Sequence, residues 1–211
     1  MQFDHGLIAV TDLDIAAREF ESRWGLASVE GGRHPDWGTA NRIVPLGRSY
    51  LELIAVVDPA IAAEADLGRW VATNAAPTGR PLGWAVRPAD LDEAASRLSL
   101  TVSSGARVTP SGSTLHWRSA GVDRAIDRSS LPFFIEWGAG VALPGTTPIT
   151  HPAGAAEISG IHLRDDPGVL ASWLGPGDHG LPIVVHAGPP AVAAIVIGTA
   201  GGEILIGDES T

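Results

Sequence analysis

Short apolar runs with a two-residue period alternate along this chain with segments of helical period. Phe3 to Val10 has β character and carries His5 on one face with Phe3, Leu7 and Ala9. Thr11 reads as a cap for a helix over Asp12 to Trp24. In that helix Ile15, Ala16, Phe20 and Trp24 share a face, and Gly25 ends it. Leu26 to Glu30 follows as a strand. Gly31-Gly32-Arg33-His34-Pro35-Asp36-Trp37 reads as a loop on turn chemistry. Gly38 to Pro45 and Ser49 to Val56 form a hairpin around Leu46-Gly47-Arg48. The element order to this point is β-α-β-β-β.

The pattern then starts again. Asp58 to Pro77 is Ala-rich and helical, with Leu67, Trp70 and Val71 inward. Thr11-Asp12-Leu13-Asp14-Ile15-Ala16-Ala17 recurs 78 positions later as Ala89-Asp90-Leu91-Asp92-Glu93-Ala94-Ala95. An apolar run, Leu82 to Val86, precedes this copy. Three strand-like runs follow it: Leu100 to Val108, Ser113 to Ser119 and Leu131 to Trp137. Pro144 to Gly154 is a Pro/Gly/Thr-rich linker. The last third again reads β-α-β-β-β, with Ile158 to Arg164, a helix over Pro167 to Leu174, Pro182 to His186, Val192 to Ile197 and Glu203 to Ile206. The predicted organisation is a first module over 1–57, a helical connector over 58–80, a second module over 81–143, a linker over 144–156 and a degenerate third module over 157–211.

Composition narrows the function. A formal net charge of −10 disfavours nucleic acid and anionic membrane surfaces. All 14 basic residues are Arg, which removes lysine Schiff-base chemistry and leaves guanidinium forks for carboxylates or phosphates. The absence of Cys excludes thiol catalysis, disulfides and thiolate metal sites. The N-terminus carries no basic and apolar leader pattern, and no apolar run reaches membrane-span length, so the expectation is a soluble cytoplasmic protein. Glu52 stands out as a carboxylate inside the apolar run Tyr50-Leu51-Glu52-Leu53-Ile54. It must face water, pair with an arginine such as Arg42 or Arg118, or hold a metal ion.

Asp4-His5, the stretch from Gly32 to Asn41, Tyr50 to Ile54, and Leu131-Pro132-Phe133-Phe134-Ile135-Glu136-Trp137 together resemble the glyoxalase-like domains of the vicinal oxygen chelate superfamily. The resemblance covers roughly residues 3–140. It implies an α+β fold of paired βαβββ modules forming a half-open barrel, here with an additional C-terminal βαβββ-like unit. It also implies metal ligands on the first and last strands of each module. His5 and Glu52 match those places in the first module. In the second, the repeat offset puts Gly83, which cannot ligate, at one place, and the other falls on Phe134 or Glu136, with Glu136 the third ligand.

Two readings stay open. In the first, His5, Glu52 and Glu136 hold one divalent ion (Zn, Ni, Mn, Fe or Mg) as a Lewis acid for a lyase or isomerase that stabilises an enediolate-type oxyanion. Glu52 or His116 then moves the proton, and His116 can also replace the ligand lost at Gly83. In the second, no metal binds and the same fold binds or sequesters a small molecule. Under either, His34, Trp37 and Asn41 of the first module and Trp84, Trp117, Arg118 and Phe134 of the second line the concavity for an oxygen-rich, acyl or aromatic ligand. The aromatic residues also suit a core, and His34 and Asn41 suit a tied-down loop. An unpaired C-terminal module suits a homodimer contact. Gly175 to Gly180 matches the G-x-G-x-x-G letters, but it lies between a helix and a strand, the wrong context for a dinucleotide.

Overall fold

The structure is a computed structural model that describes residues 1–109 and 112–208. The end of the expected third module, residues 209–211, and Pro110 and Ser111 of the second lie outside the described residues. The first module comprises β1 (Gln2–Ala9), α1 (Leu13–Trp24), β2 (Val29–His34), β3 (Thr39–Leu46) and β4 (Ser49–Val56). Two short helices follow, α2 (Pro59–Glu64) and α3 (Asp66–Asn74), separated where Ala65 adopts an extended conformation. The second module comprises β5 (Arg80–Arg87), α4 (Leu91–Leu98), β6 (Val102–Val108), β7 (Thr114–Ala120), a short α5 (Val122–Asp127) and β8 (Phe133–Trp137). The C-terminal unit adds β9 (Ala156–Arg164), α6 (Pro167–Leu174), β10 (Ile183–His186), β11 (Ala191–Thr199) and β12 (Gly202–Gly207).

The repeated aspartates have one local function. The Asp12 carboxylate accepts from the backbone N–H groups of Asp14 and Ile15, and that of Asp90 from Glu93, so each caps its module's helix. The cap of α1 is thus Asp12 rather than Thr11. Gly25 closes α1 in the left-handed region at φ 65°.

The eight strands of the two modules form a barrel in the order β1-β4-β3-β2-β6-β7-β8-β5. β1 runs parallel to β4 and β5 parallel to β8, while β1 and β5 pair antiparallel between the modules. At the opposite seam, β2 against β6, Arg33 pairs with Val108 among the described residues. β2 continues through Gly31 and Gly32, which turn chemistry assigns to a loop. The loop itself is only the 3₁₀ turn Pro35–Trp37, which Gly38 ends at φ 63°.

A register shift in β1 between Phe3 and His5 leaves Asp4 as a bulge. Consequently Phe3 does not share a face with His5. It stacks on Trp84 outside the barrel, while Leu7 and Ala9 pack inside.

The C-terminal unit has the expected element order but pairs differently, as β10-β9-β11-β12 with β10 parallel to β9. One of its faces is buried on the barrel. Ile195 sits over Gly6, where a Cβ would collide with it. Ile161, Leu163 and Ile206 join Trp84, Leu51 and Phe134 in one core. His151 ties the connecting segment down: its Nδ1 accepts from Ala27 N–H at 3.0 Å and its Nε2 donates to the Pro45 carbonyl at 2.6 Å. Buried Asp165 accepts from the Arg128 guanidinium, the Ser130 hydroxyl and the Asp166 N–H, which joins the second module to the C-terminal unit.

These donors hold the Asp165 carboxyl down at about 2, against an ordinary 3.8. The folded-state value lies below the unfolded one, so the stabilisation is complete above about pH 4 and disappears as pH falls through 2. Asp165→Asn is expected to lower the urea-unfolding free energy by about 2 kcal/mol at pH 7. The difference from wild type is expected to shrink steadily on acidification below pH 4.

Candidate functional site

One end of the barrel interior holds a cavity of about 50 Å³. Polar side chains reach it from the first four strands, β6 and β7, and aromatic ones mainly from β7 and β8. His5 leads the polar side. The bulge turns the Asp4 carboxylate toward it, and His5 Nδ1–H donates to Asp4 at 2.5 Å. Asp4 also accepts from the Trp137 indole N–H at 3.1 Å and pairs with Arg87 at 2.9 Å. With Nδ1 occupied, His5 presents Nε2 to the cavity, 3.5 Å from Glu52. Glu52 accepts from the Asn41 amide at 2.6 Å, and the Asn41 carbonyl oxygen accepts from Arg107 at 2.9 Å. Asp4, His5, Glu52, Asn41 and Arg107 therefore form one buried polar chain across the barrel.

His34 bonds Thr39 at 3.0 Å, and its ring lies 5.2 Å from Trp37. Trp37, Trp117 and Trp137 form an aromatic wall, with neighbouring centroids 6.3 and 5.8 Å apart. Phe133 and Ile135 complete the apolar lining together with Leu7 and Ile54. Tyr50 stacks on His5 at 4.6 Å. Burial, and then the Asp4 and Glu52 carboxylates, push the Tyr50 phenol well above its ordinary value, so it remains a donor. Burial lowers the pKa of His34, opposed by Glu52 and assisted by Arg107.

Six of the expected residues meet here: His5, His34, Trp37, Asn41, Glu52 and Trp117. Five others do not. Glu136 lies on the outer face of β8, paired at 2.8 Å with Arg118, which also grips Asp92. Arg118 and exposed His116 share the outer face of β7. Trp84 is in the outer core, donating to the Ser130 carbonyl, and Phe134 stacks there on Trp173. The reason is the pleat. In β8 the inward set is Phe133, Ile135 and Trp137, so Phe134 and Glu136 point away. Arg42 pairs with Asp14 and Ser28, not with Glu52. The sequence pattern does not single out Arg107 and Tyr50 as site residues. The period-two alternation of β4 and β6 carries that information once each register is known.

The family model of the glyoxalase-like domain matches residues 3–176. The chain belongs to the glyoxalase-like domain family. A crystal structure of a hypothetical protein from Staphylococcus aureus shares the fold, with a TM-score of 0.71 and 15% identity over 94% of this chain and 91% of its own. Two methylmalonyl-CoA epimerase structures superpose less well. A Streptomyces coelicolor variant in complex with 2-nitronate-propionyl-CoA gives 0.47 at 18% identity, over 67% of this chain and 99% of its own. The Mycobacterium tuberculosis enzyme gives 0.42 at 20% identity, over 64% and 86%. Scores at that level carry no inference about activity. No curated protein matches the chain in sequence.

Strand register identifies what stands at the glyoxalase-like ligand places in each module. Leu7 pairs with Gly83 and His5 with Ala85, so the 78-residue offset relates His5 to Gly83 and Leu7 to Ala85. Glu52 lies beside Leu7, and Phe133 lies beside Ala85. The second-module counterpart of Glu52 is therefore Phe133 rather than Glu136. Gly83 leaves a gap inside the barrel that the Trp70 ring fills, since a Cβ there would lie 2.6 Å from Trp70 Cη2. The first module thus offers an imidazole and a carboxylate, and the second offers neither. No group of three or more His, Asp or Glu able to hold an ion occurs among the described residues. The pair falls short of the three protein ligands that hold a catalytic zinc ion, so the donor set does not fit such a centre.

His34, with its folded-state value below the ordinary 6.5, stays neutral at neutral pH. The stability it contributes is present above pH 6.5 and is lost as pH falls through its folded-state value. A histidine NMR titration is expected to give a His34 midpoint below 6.5. Replacement by Gln is expected to flatten the decline in urea stability just below that pH.

Proposed function

We propose that the barrel cavity binds a small oxygen-bearing molecule without a resident metal ion, and that His5 and Glu52 exchange a proton with it. The observation that carries this reading is the contact between His5 Nε2 and Glu52 at 3.5 Å, with Gly83 and Phe133 at the matching places of the second module. In a metal centre of this fold both side chains would aim at an ion. Here Glu52 is bonded to Asn41, and the second module brings no ligand opposite the pair.

The residues divide the work. Asp4 fixes the His5 tautomer so that Nε2 is the free ring nitrogen, the arrangement by which a carboxylate orients an acid/base histidine. Glu52, held by Asn41, is the neighbouring proton acceptor. Tyr50 offers a phenol donor to a ligand oxygen. The tryptophans and Phe133 exclude water and favour a flat ligand. The size of the cavity selects a small one. No helix among the described residues is long and apolar enough to cross a membrane.

Elemental analysis of untagged protein, purified without chelator, tests the proposal. The expected result is no Zn, Ni, Mn, Fe or Mg near one ion per chain, and no rise in thermal midpoint when these ions are added. Near-stoichiometric metal that disappears in Glu52→Gln would restore the metal-dependent reading.

A further inference from the structure

Arg107 is the most unusual group in the cavity. It is 6% exposed, yet no carboxylate lies within ion-pair distance of it among the described residues. Its Nη1 donates to the neutral Asn41, and its Nε is buried with no acceptor. A guanidinium taken out of water without a counter-charge is costly, and a fold retains one only where something compensates it.

The chain is built to admit this side chain. Gly31 and Gly32 on β2 face it: a Cβ at Gly31 would lie 2.6 Å from Arg107 Nη1 and collide with the Asn41 carbonyl oxygen, and one at Gly32 would lie 3.4 Å from Arg107 Cδ. Asp4 is paired with Arg87, and Glu52 offsets Arg107 only across the neutral Asn41 amide that both bond. The buried Nε of the guanidinium fork is therefore left for an acceptor that arrives with the ligand.

We propose that the ligand is a small carboxylate and that Arg107 receives its charge. This rests on the cavity reading above and adds the substrate class. A planar carboxylate matches the guanidinium fork and lies flat along the wall of Trp37, Trp117 and Trp137. The cavity of about 50 Å³ has room for roughly three or four water-sized groups, which favours the smallest acids over larger ones. With the carboxylate on Arg107, the adjoining carbon or oxygen faces the His5–Glu52 end of the polar chain. A 2-oxo or 2-hydroxy acid would place its second oxygen within the field of Tyr50 and His5.

The tryptophan wall supplies the readout. Intrinsic fluorescence of the intact protein is titrated with pyruvate, lactate and acetate, and separately with pyruvamide, acetamide and inorganic phosphate. The expected result is saturable quenching by at least one carboxylate, no saturable response to its amide or to phosphate, and a loss of affinity of about tenfold or more in Arg107→Met. Arg107→Lys, which keeps the charge but loses the fork, is expected to recover part of that affinity. Equal binding of amide and acid, unchanged affinity in Arg107→Met, or no carboxylate response at all would each overturn the proposal. Metal content is measured separately, so failure of the metal-free reading and failure of the carboxylate assignment give different signatures.

Discussion

Antiparallel pairing of β1 with β5 sets His5 against Ala85 and Leu7 against Gly83, and this register governs the rest of the molecule. It joins the two modules along one seam, and among the described residues the opposite seam is the pair Arg33 with Val108. It also decides which residue of every strand faces inward, because each neighbour is locked to it in turn by hydrogen bonding. Within that register, the bulge at Asp4 brings its carboxylate onto His5 Nδ1, behind the cavity wall. A regular strand would have sent the carboxylate outward, and His5 would have lost the partner that fixes its tautomer.

The two modules share a backbone but have diverged in what they point inward. The first presents His5, His34, Asn41, Tyr50 and Glu52. Apart from Arg107 and Ser119, the second presents aromatic and aliphatic groups. Trp70, from the connector between them, fills the space over Gly83. The cavity is consequently lopsided, with a polar chain on one wall and flat rings on the other. That asymmetry suits a small ligand with one charged end better than an ion coordinated symmetrically from both modules.

The sequence pattern reached much of this architecture because it is written locally. The Asp12 and Asp90 caps recur at a fixed offset, the apolar runs alternate, and Gly25 stops the first helix where expected. Glu52 was legible as an anomaly in an apolar strand. Glu136, Arg118, Phe134 and His116 misled for one reason. Facing in β7 and β8 depends on pairing with strands distant in sequence, and a shift of one residue exchanges the two faces. Arg107 lacked a local signal, since its role comes from Gly31 and Gly32 more than seventy residues earlier. Phe3 was misread because a bulge leaves no mark in a hydrophobic pattern.

His5 is held by Asp4 at Nδ1 and turns Nε2 to Glu52, and the metal-free proposal requires that Nε2 take no ion. Nitrogen-detected NMR of the His5 ring, with Mn²⁺ added to the protein, reads that arrangement directly. The account predicts a proton on Nδ1 shifted downfield by the Asp4 carboxylate, and His5 signals that stay sharp at one equivalent of Mn²⁺. Selective broadening of the His5 resonances at stoichiometric Mn²⁺, absent in Glu52→Gln, would contradict it.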